Sequence, residues 1–199
     1  MLTDPLLIDL PLPIYTSRLM IRPLMPKDGP TVWKAIEESR QAIRKWLPWV
    51  DNVKSWQDSE KTARQFYANF ILRKDFNFCI FKGDEFVGGC SLRAPDWEVP
   101  SAAIGYWCRE SLQGCGYITE AVGALALYAF KEIKFKRLTI LCEEGNKKSI
   151  AVANRLGFEL ETMAKGIIAD PRSEKLLTGY RFVRFDPHGL ESSYSYKLT

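Results

Sequence analysis

Polar and apolar side chains alternate through Arg18-Leu19-Met20-Ile21-Arg22, the period of a half-buried strand, and Pro23 ends the run. Asp28 stands where it can cap a helix reaching about Ser39, with Pro30 in the first turn and Trp33 and Ile36 on one face. A second, short helix is expected to end at Trp46-Leu47-Pro48-Trp49. From Asp58 to about Arg73, Ala63, Phe66, Tyr67 and Phe70 recur at three- and four-residue spacing, which predicts a third helix. The period then shortens. Phe76-Asn77-Phe78-Cys79-Ile80-Phe81 reads as a strand, Gly83-Asp84 as a tight turn, and Glu85 to Arg93 as the hairpin partner. Ala102 to Cys108 is a third strand of this group. Ile118, Ala121, Val122, Leu125, Ala129 and Ile133 then form a continuous apolar stripe, predicting a helix from Tyr117 to about Ile133. Arg137 to Cys142 reads as a strand, and Asn146 to Leu156 as a helix stopped by Gly157 at its C-cap. Phe158 to about Ile168 and Lys175 to Arg184 are the two closing strands.

Strands and helices in this order predict an α/β (α+β) fold, a mixed sheet with helices on both faces. No internal repeat or linker divides the 199 residues, so one domain is expected over 16–184. Residues 1–15 carry Pro5, Pro11 and Pro13 with Asp4 and Asp9 and lack a basic leader; they read as an extended arm packed on the domain, neither signal peptide nor bilayer span. Residues 185–199, rich in Ser and Tyr, are expected to form a poorly ordered tail. At 46% hydrophobic and 26% charged, the chain has enough apolar material for a real core. The net charge of +4 is scattered, which argues against nucleic acid as a direct ligand. Five cysteines without a CxxC pair suit reduced thiols in the cytoplasm. A single histidine, His188, argues against a His triad or a multi-His metal centre, so no metal is expected. Monomer and homodimer both remain open.

The chemistry concentrates at Gln113-Gly114-Cys115-Gly116-Tyr117-Ile118-Thr119, a glycine-rich turn running from a strand into the most periodic helix. Glycines let the backbone turn sharply and let a ligand approach. The free N–H groups and positive end of the helix favour an anion, most often phosphate. No Asp or Glu lies between Ser111 and Thr119 to occupy that seat internally. A Walker loop would need Lys-Ser/Thr after the second glycine and finds Tyr117-Ile118 instead. A dinucleotide fingerprint matches Gly114 and Gly116, but Thr119 takes its last position, and Glu143 is only a loose match for its acidic residue.

Gln113-x-x-Gly116-x-Ile118, following Ile104-Gly105-Tyr106-Trp107, closely resembles the acetyl-CoA diphosphate loop of the GNAT family of N-acetyltransferases. The family pattern is Arg/Gln-x-x-Gly-x-Gly/Ala, from which Ile118 departs at the last place. Thr16-x-Arg18-Leu19-x-Ile21-Arg22-Pro23, Trp46-Leu47-Pro48-Trp49, Gly116-Tyr117-x-Thr119-Glu120-Ala121, Asn146-Lys147-Lys148-Ser149 and Arg155-Leu156-Gly157-Phe158 resemble the RimJ/RimL-type branch, in order, from about Thr16 to Arg184. The resemblance implies a mostly antiparallel central sheet with an acetyl-CoA cleft where its central strands splay. It implies direct transfer of an acetyl group from acetyl-CoA to a primary amine, with a protein N-terminal α-amine of the ribosomal-protein type as acceptor.

Residue by residue, it implies that Gln113, Gly114, Cys115, Gly116, Tyr117, Ile118 and Thr119 hold the diphosphate. A backbone N–H near Trp107 or Cys108 meets the thioester carbonyl, and Asn146 bonds the pantetheine amides. Many relatives place a proton-donating Tyr where Ala153 stands, which directs the general-acid role to Ser149. Each assignment has a plainer alternative: Ser149 as a helix-start cap, Tyr106 and Trp107 as sheet packing, Lys147, Lys148 and Arg155 as solvated charge instead of ribose-phosphate contacts. Trp46, Trp49, Phe66, Tyr67 and Phe70 are acceptor-groove or core residues, with Phe66 and Phe70 read as core. For a general base, Ile168 and Ala103 occupy the positions where relatives carry carboxylates; Asp96, Glu98, Glu143 and Glu144 remain as loop charges. An α-amine of pKa about 7.7–8.0 is roughly a tenth to a fifth neutral at pH 7, against well under about a thousandth for lysine near 10.4. A site without a dedicated base therefore suits an α-amine. A small-molecule amine acetyltransferase and a non-catalytic acyl-CoA-binding module are the alternatives.

Overall fold

The computed structural model describes residues 4–198. Met1–Thr3 of the expected arm and Thr199 of the expected tail lie outside the described residues. The elements are β1 (Ile14–Tyr15), β2 (Met20–Pro23), α1 (Gly29–Arg44), α2 (Trp56–Ile71), β3 (Phe76–Lys82), β4 (Glu85–Asp96), β5 (Ser101–Cys108), α3 (Tyr117–Lys131), β6 (Arg137–Glu143), α4 (Lys147–Arg155), β7 (Glu159–Ala169), β8 (Leu176–Arg184), α5 (Leu190–Ser193) and β9 (Lys197–Leu198). Short 3-10 segments cover Pro5–Leu7, Pro48–Asn52 and Glu110–Leu112.

These strands form one sheet in the order β7-β8-β6-β5-β4-β3-β2-β1-β9. Every neighbouring pair is antiparallel except β5 with β6. Alternation along β3 sends Phe76, Phe78 and Ile80 into the cluster around α3, and Cys79 and Phe81 into a cluster with Ala35 of α1. Helices therefore cover both faces, as expected. Helix α3 is the core element: Ala121, Val122, Ala124, Leu125, Ala126, Tyr128 and Ala129 have no exposed surface, so the helix is apolar nearly all round.

Four expectations are corrected. Helix α1 does not end at Ser39 but continues to Arg44, so no separate short helix ends at Trp46-Leu47-Pro48-Trp49; a 3-10 segment, Pro48–Asn52, begins there instead. Ser39 is fully buried, and its Oγ accepts the Glu110 N–H at 2.8 Å, so a residue that reads as a helix end is used for a tertiary contact. Asp28 occupies the N-cap of α1, yet its carboxylate takes the Arg22 guanidinium at 2.7 and 2.8 Å, while Glu60 of α2 accepts the Gly29 N–H at 3.2 Å. The tail is packed, not loose. Leu190 is buried, Tyr194 lies over Gly123 of α3, the Tyr196 hydroxyl donates to Glu132 at 2.6 Å, and β9 pairs with β1. Its tyrosines gain apolar cover on α3, which a reading of Ser content misses.

The feature that positions the site is a parting of the sheet. Strands β5 and β6 pair only at Ser101↔Arg137, Ala102↔Leu138 and Ala103↔Thr139. Beyond that point β5 stays paired with β4 as far as Cys108↔Gly88, and β6 with β8 as far as Glu143↔Gly179. Two strand edges thus face each other across a gap, carrying backbone groups without a sheet partner.

Candidate active site

The residues expected to seat a diphosphate stand beyond the C-terminal end of β5, at the head of this gap. Gln113 is extended, Gly114 has φ 81° and Gly116 has φ 79°, a left-handed conformation that glycine adopts without a Cβ penalty. Gly116 is also the N-cap of α3 and supplies no side chain to close the helix end. Among the described residues, the N–H groups of Gly114, Cys115, Gly116, Tyr117, Ile118 and Thr119 have no hydrogen-bond acceptor; the first helical bond is Glu120 N–H to Gly116 O at 3.0 Å. Gly114, Cys115 and Gly116 are exposed. A row of unsatisfied donors at a helix start suits a multiply charged anion.

The loop is held from two sides. Arg18, between β1 and β2, donates from Nη1 to Cys115 O at 3.2 Å, lies 4.7 Å from the Tyr117 ring centroid and bonds Glu120 at 2.6 Å. Glu120 also accepts from Thr16 Oγ1 at 2.6 Å, Ser17 Oγ at 3.1 Å and Arg18 N–H at 3.1 Å. Burial raises the Glu120 pKa, but the bonds from Thr16, Arg18 and Ser17 outweigh it and hold the carboxyl below its usual value. On the other side, Lys148 of α4 donates to the Gln113 side chain at 2.8 Å, spanning the mouth of the gap.

Inside the gap, three elements bring one polar cluster together. Ser149 Oγ of α4 donates to Tyr106 Oη of β5 at 2.9 Å, Tyr106 donates to the Ser149 carbonyl at 2.9 Å, and Cys142 Sγ of β6 lies 3.2 Å from Ser149 Oγ. Burial pushes the Tyr106 hydroxyl well above the ordinary tyrosine range, and pushes the Cys142 thiol up as well. Ser149 sits inside α4 and does not cap it. Asn146 does that, its Oδ1 accepting the Ser149 N–H at 3.2 Å.

Trp107 turns its ring to the α1 side, against Phe86 at 5.7 Å and Trp49 at 6.2 Å, so the residue offers the gap only its backbone. Cys108 packs on the core around α3, and its thiol is pushed up to about 11, first by burial and then by Cys115. Phe70 packs edge-on against Phe76 and Phe78 in the core, and Phe66 is half-buried. Trp46 lies 3.3 Å from where a Cβ on Gly145 would stand, and Arg172 of the β7–β8 turn donates to the Arg44 and Lys45 carbonyls at 3.0 and 3.3 Å. Among the described residues no carboxylate bonds the Tyr106–Ser149–Cys142 cluster. Asp96 caps its own turn, and Glu144 meets the Tyr180 hydroxyl at 3.4 Å.

Sequence reasoning reaches the loop and Ser149 but misses Cys142 as Ser149's neighbour, and Arg18 and Glu120 as the brace of the loop.

The fold, the parting and the donor row define an acyltransferase architecture, and the chain belongs to the acetyltransferase (GNAT) domain family, which matches residues 18–159. It is similar to YdaF of Bacillus subtilis (strain 168), 33% identical over 158 residues that make up 75% of this chain and 82% of YdaF. It is also similar to the ribosomal-protein-serine acetyltransferase of Escherichia coli (strain K12), 33% identical over 137 residues, 67% of this chain and 75% of the relative. Among solved structures, RimL, a ribosomal L7/L12 alpha-N-protein acetyltransferase in complex with coenzyme A, shares the fold with a TM-score of 0.80 at 23% identity, covering 86% of this chain and 96% of that one.

Proposed function

We propose that this enzyme acetylates the N-terminal α-amine of a protein, in the manner its ribosomal-protein-serine relative is named for, with acetyl-CoA as donor and the cytoplasm as its place of action. The observation that carries the reading is the row of N–H donors from Gly114 to Thr119 at the head of the β5/β6 gap. That row fits the diphosphate of coenzyme A, and the unpaired strand edges below it fit the amides of the pantetheine arm, as a third strand would. Acetyl-CoA supplies an activated acyl group and a thiolate leaving group.

The chain's own residues then have three tasks. Backbone N–H near Trp107 and Cys108 polarises the acyl oxygen. Ser149 hands its hydroxyl proton to the departing sulfur and regains one from solvent. Tyr106 Oη, which accepts that hydroxyl at 2.9 Å and donates to the Ser149 carbonyl, orients it, and the Cys142 thiol faces Ser149 Oγ as a donor at 3.2 Å. Trp46, Trp49 and the Arg172-tethered β7–β8 turn wall the acceptor path. The extra proton of the amine goes to water, since no carboxylate bonds this cluster among the described residues. An α-amine, partly neutral at pH 7, tolerates that arrangement, whereas lysine carries a handicap of about 3–4 kcal/mol.

Thiol release from acetyl-CoA with matched peptides tests the reading. Peptides with a free N-terminus and no lysine are expected to turn over, and N-terminally blocked peptides containing lysine are not. Equal turnover of the two sets would reject the α-amine assignment, and turnover confined to small amines would make the enzyme a small-molecule acetyltransferase.

A further inference from the structure

Glu120 suits the dipole of α3 but not an anionic ligand at its start. It is in the first turn of α3, beside the row of N–H donors read above as the diphosphate seat, where an unpaired carboxylate would repel the ligand. The structure surrounds it with donors on one side only. Oε1 takes Thr16 Oγ1, Ser17 Oγ and the Arg18 N–H; Oε2 takes the Arg18 guanidinium through Nε and Nη2, both at 2.6 Å. The remaining face of that guanidinium is aimed at the loop. Nη1 reaches Cys115 O at 3.2 Å, and Nη2 lies 3.6 Å from where a Gly116 Cβ would stand. The ion pair is thus oriented, with its positive end against the loop and its negative end turned toward Thr16 and Ser17. Other charges at the loop are Lys82, whose Nζ is 5.5 Å from the Tyr117 ring centroid, and Lys148 on Gln113.

We infer that Arg18 is a positioning residue for the acyl donor: it cancels the Glu120 charge and presents a cation to the loop, making an otherwise repulsive helix start selective for a diphosphate-bearing thioester. This deepens the proposed acetyl-CoA seat and rests on it. Thr16-x-Arg18 and Thr119-Glu120 are then two halves of one device, brought together across 102 residues of sequence.

The test uses two acetyl donors and three variants of the full chain. S-acetylpantetheine carries the same reacting group as acetyl-CoA without the diphosphate. Arg18→Ala is expected to raise the KM for acetyl-CoA about tenfold with kcat little changed, because it exposes Glu120 to the ligand. The kcat/KM of the same variant with S-acetylpantetheine should stay within about twofold of the parent, which also shows that the protein is folded. Glu120→Gln alone should lower or barely alter the acetyl-CoA KM. Adding Glu120→Gln to Arg18→Ala should recover most of the loss, although it removes a further bracing contact. A purely structural brace predicts the opposite: a double variant as poor as or poorer than Arg18→Ala, and equal losses with both donors. Either result, or an unchanged KM in Arg18→Ala, overturns the inference. Failure of the parent protein to bind or use acetyl-CoA would instead remove the seat itself.

Discussion

The loop from Gly114 to Thr119 and the cluster of Tyr106, Ser149 and Cys142 stand at the two ends of one gap and, in the proposed function, work by opposite means. The loop acts through backbone N–H groups with left-handed glycines and no capping side chain. The cluster acts through side chains from a strand, a helix and a second strand, meeting at 2.9 and 3.2 Å. A backbone device is local: its competence is written in a few adjacent residues. A side-chain device is nonlocal and depends on how far β5 and β6 part. It follows that the two ends should fail differently, the cluster in turnover and the loop in donor affinity.

Ser149→Ala should give the largest effect, a fall in kcat of about a hundredfold with the acetyl-CoA KM within about twofold, as expected for loss of a general acid. Tyr106→Phe should cost about tenfold in kcat, and the double variant should be scarcely worse than Ser149→Ala, since Tyr106 acts by orienting the Ser149 hydroxyl. Steady-state kinetics on the three variants decide this; unchanged turnover in Ser149→Ala would transfer the acid role elsewhere.

The same contrast explains what could be read in the chain beforehand. Gln113-x-x-Gly116 announces the loop because glycine at φ near 80° is a backbone requirement visible in one residue type. The alternating strands and the α3 stripe were legible for the same reason, as local periodicity. Ser149 was reached through a resemblance, because Asn146-Lys147-Lys148-Ser149 alone fits a helix start equally well, and Asn146 is in fact its cap. Cys142 reads as an ordinary buried strand residue until α4 is laid beside it. Ser39 and the tyrosines of the tail misled for the converse reason. Their polar identity suggested a break and a loose end, while tertiary burial against Glu110 and α3 settled their roles.

Gly116→Ala probes the loop end. A Cβ there would meet only Arg18 Nη2 at 3.6 Å, an ordinary contact, so the cost is conformational. Left-handed backbone costs a residue with a side chain about 1–2 kcal/mol, and the loop is expected to relax and disperse its donors. The acetyl-CoA KM should rise about tenfold with kcat nearly intact. A kcat loss without a KM change would erase the proposed division between the two ends.

A smaller effect is expected on the acceptor side. Arg172→Ala frees the β7–β8 turn from the Arg44 and Lys45 carbonyls, contacts that are solvent-exposed and worth about 1 kcal/mol. The peptide KM should increase by roughly three- to fivefold, with the acetyl-CoA KM unchanged. Equal changes in both would mean that the turn also shapes the donor seat.

The smallest effect isolates the charge under the loop. Glu120 is held below its ordinary pKa in the fold, so its contribution is fully present above the unfolded carboxylate value of about 4.3 and disappears as pH falls through the lower, folded value. Glu120→Gln should therefore melt roughly 2–4 °C below the parent at pH 7, and the two curves should converge as pH drops below about 4. Glu38, Asp58, Glu60, Glu161 and Asp170 are also held low, but they titrate in both proteins and cancel in the difference. A melting gap that stays constant with pH would mean that Glu120 matters for shape and not for charge, and the loop end would then be a backbone device with no electrostatic support.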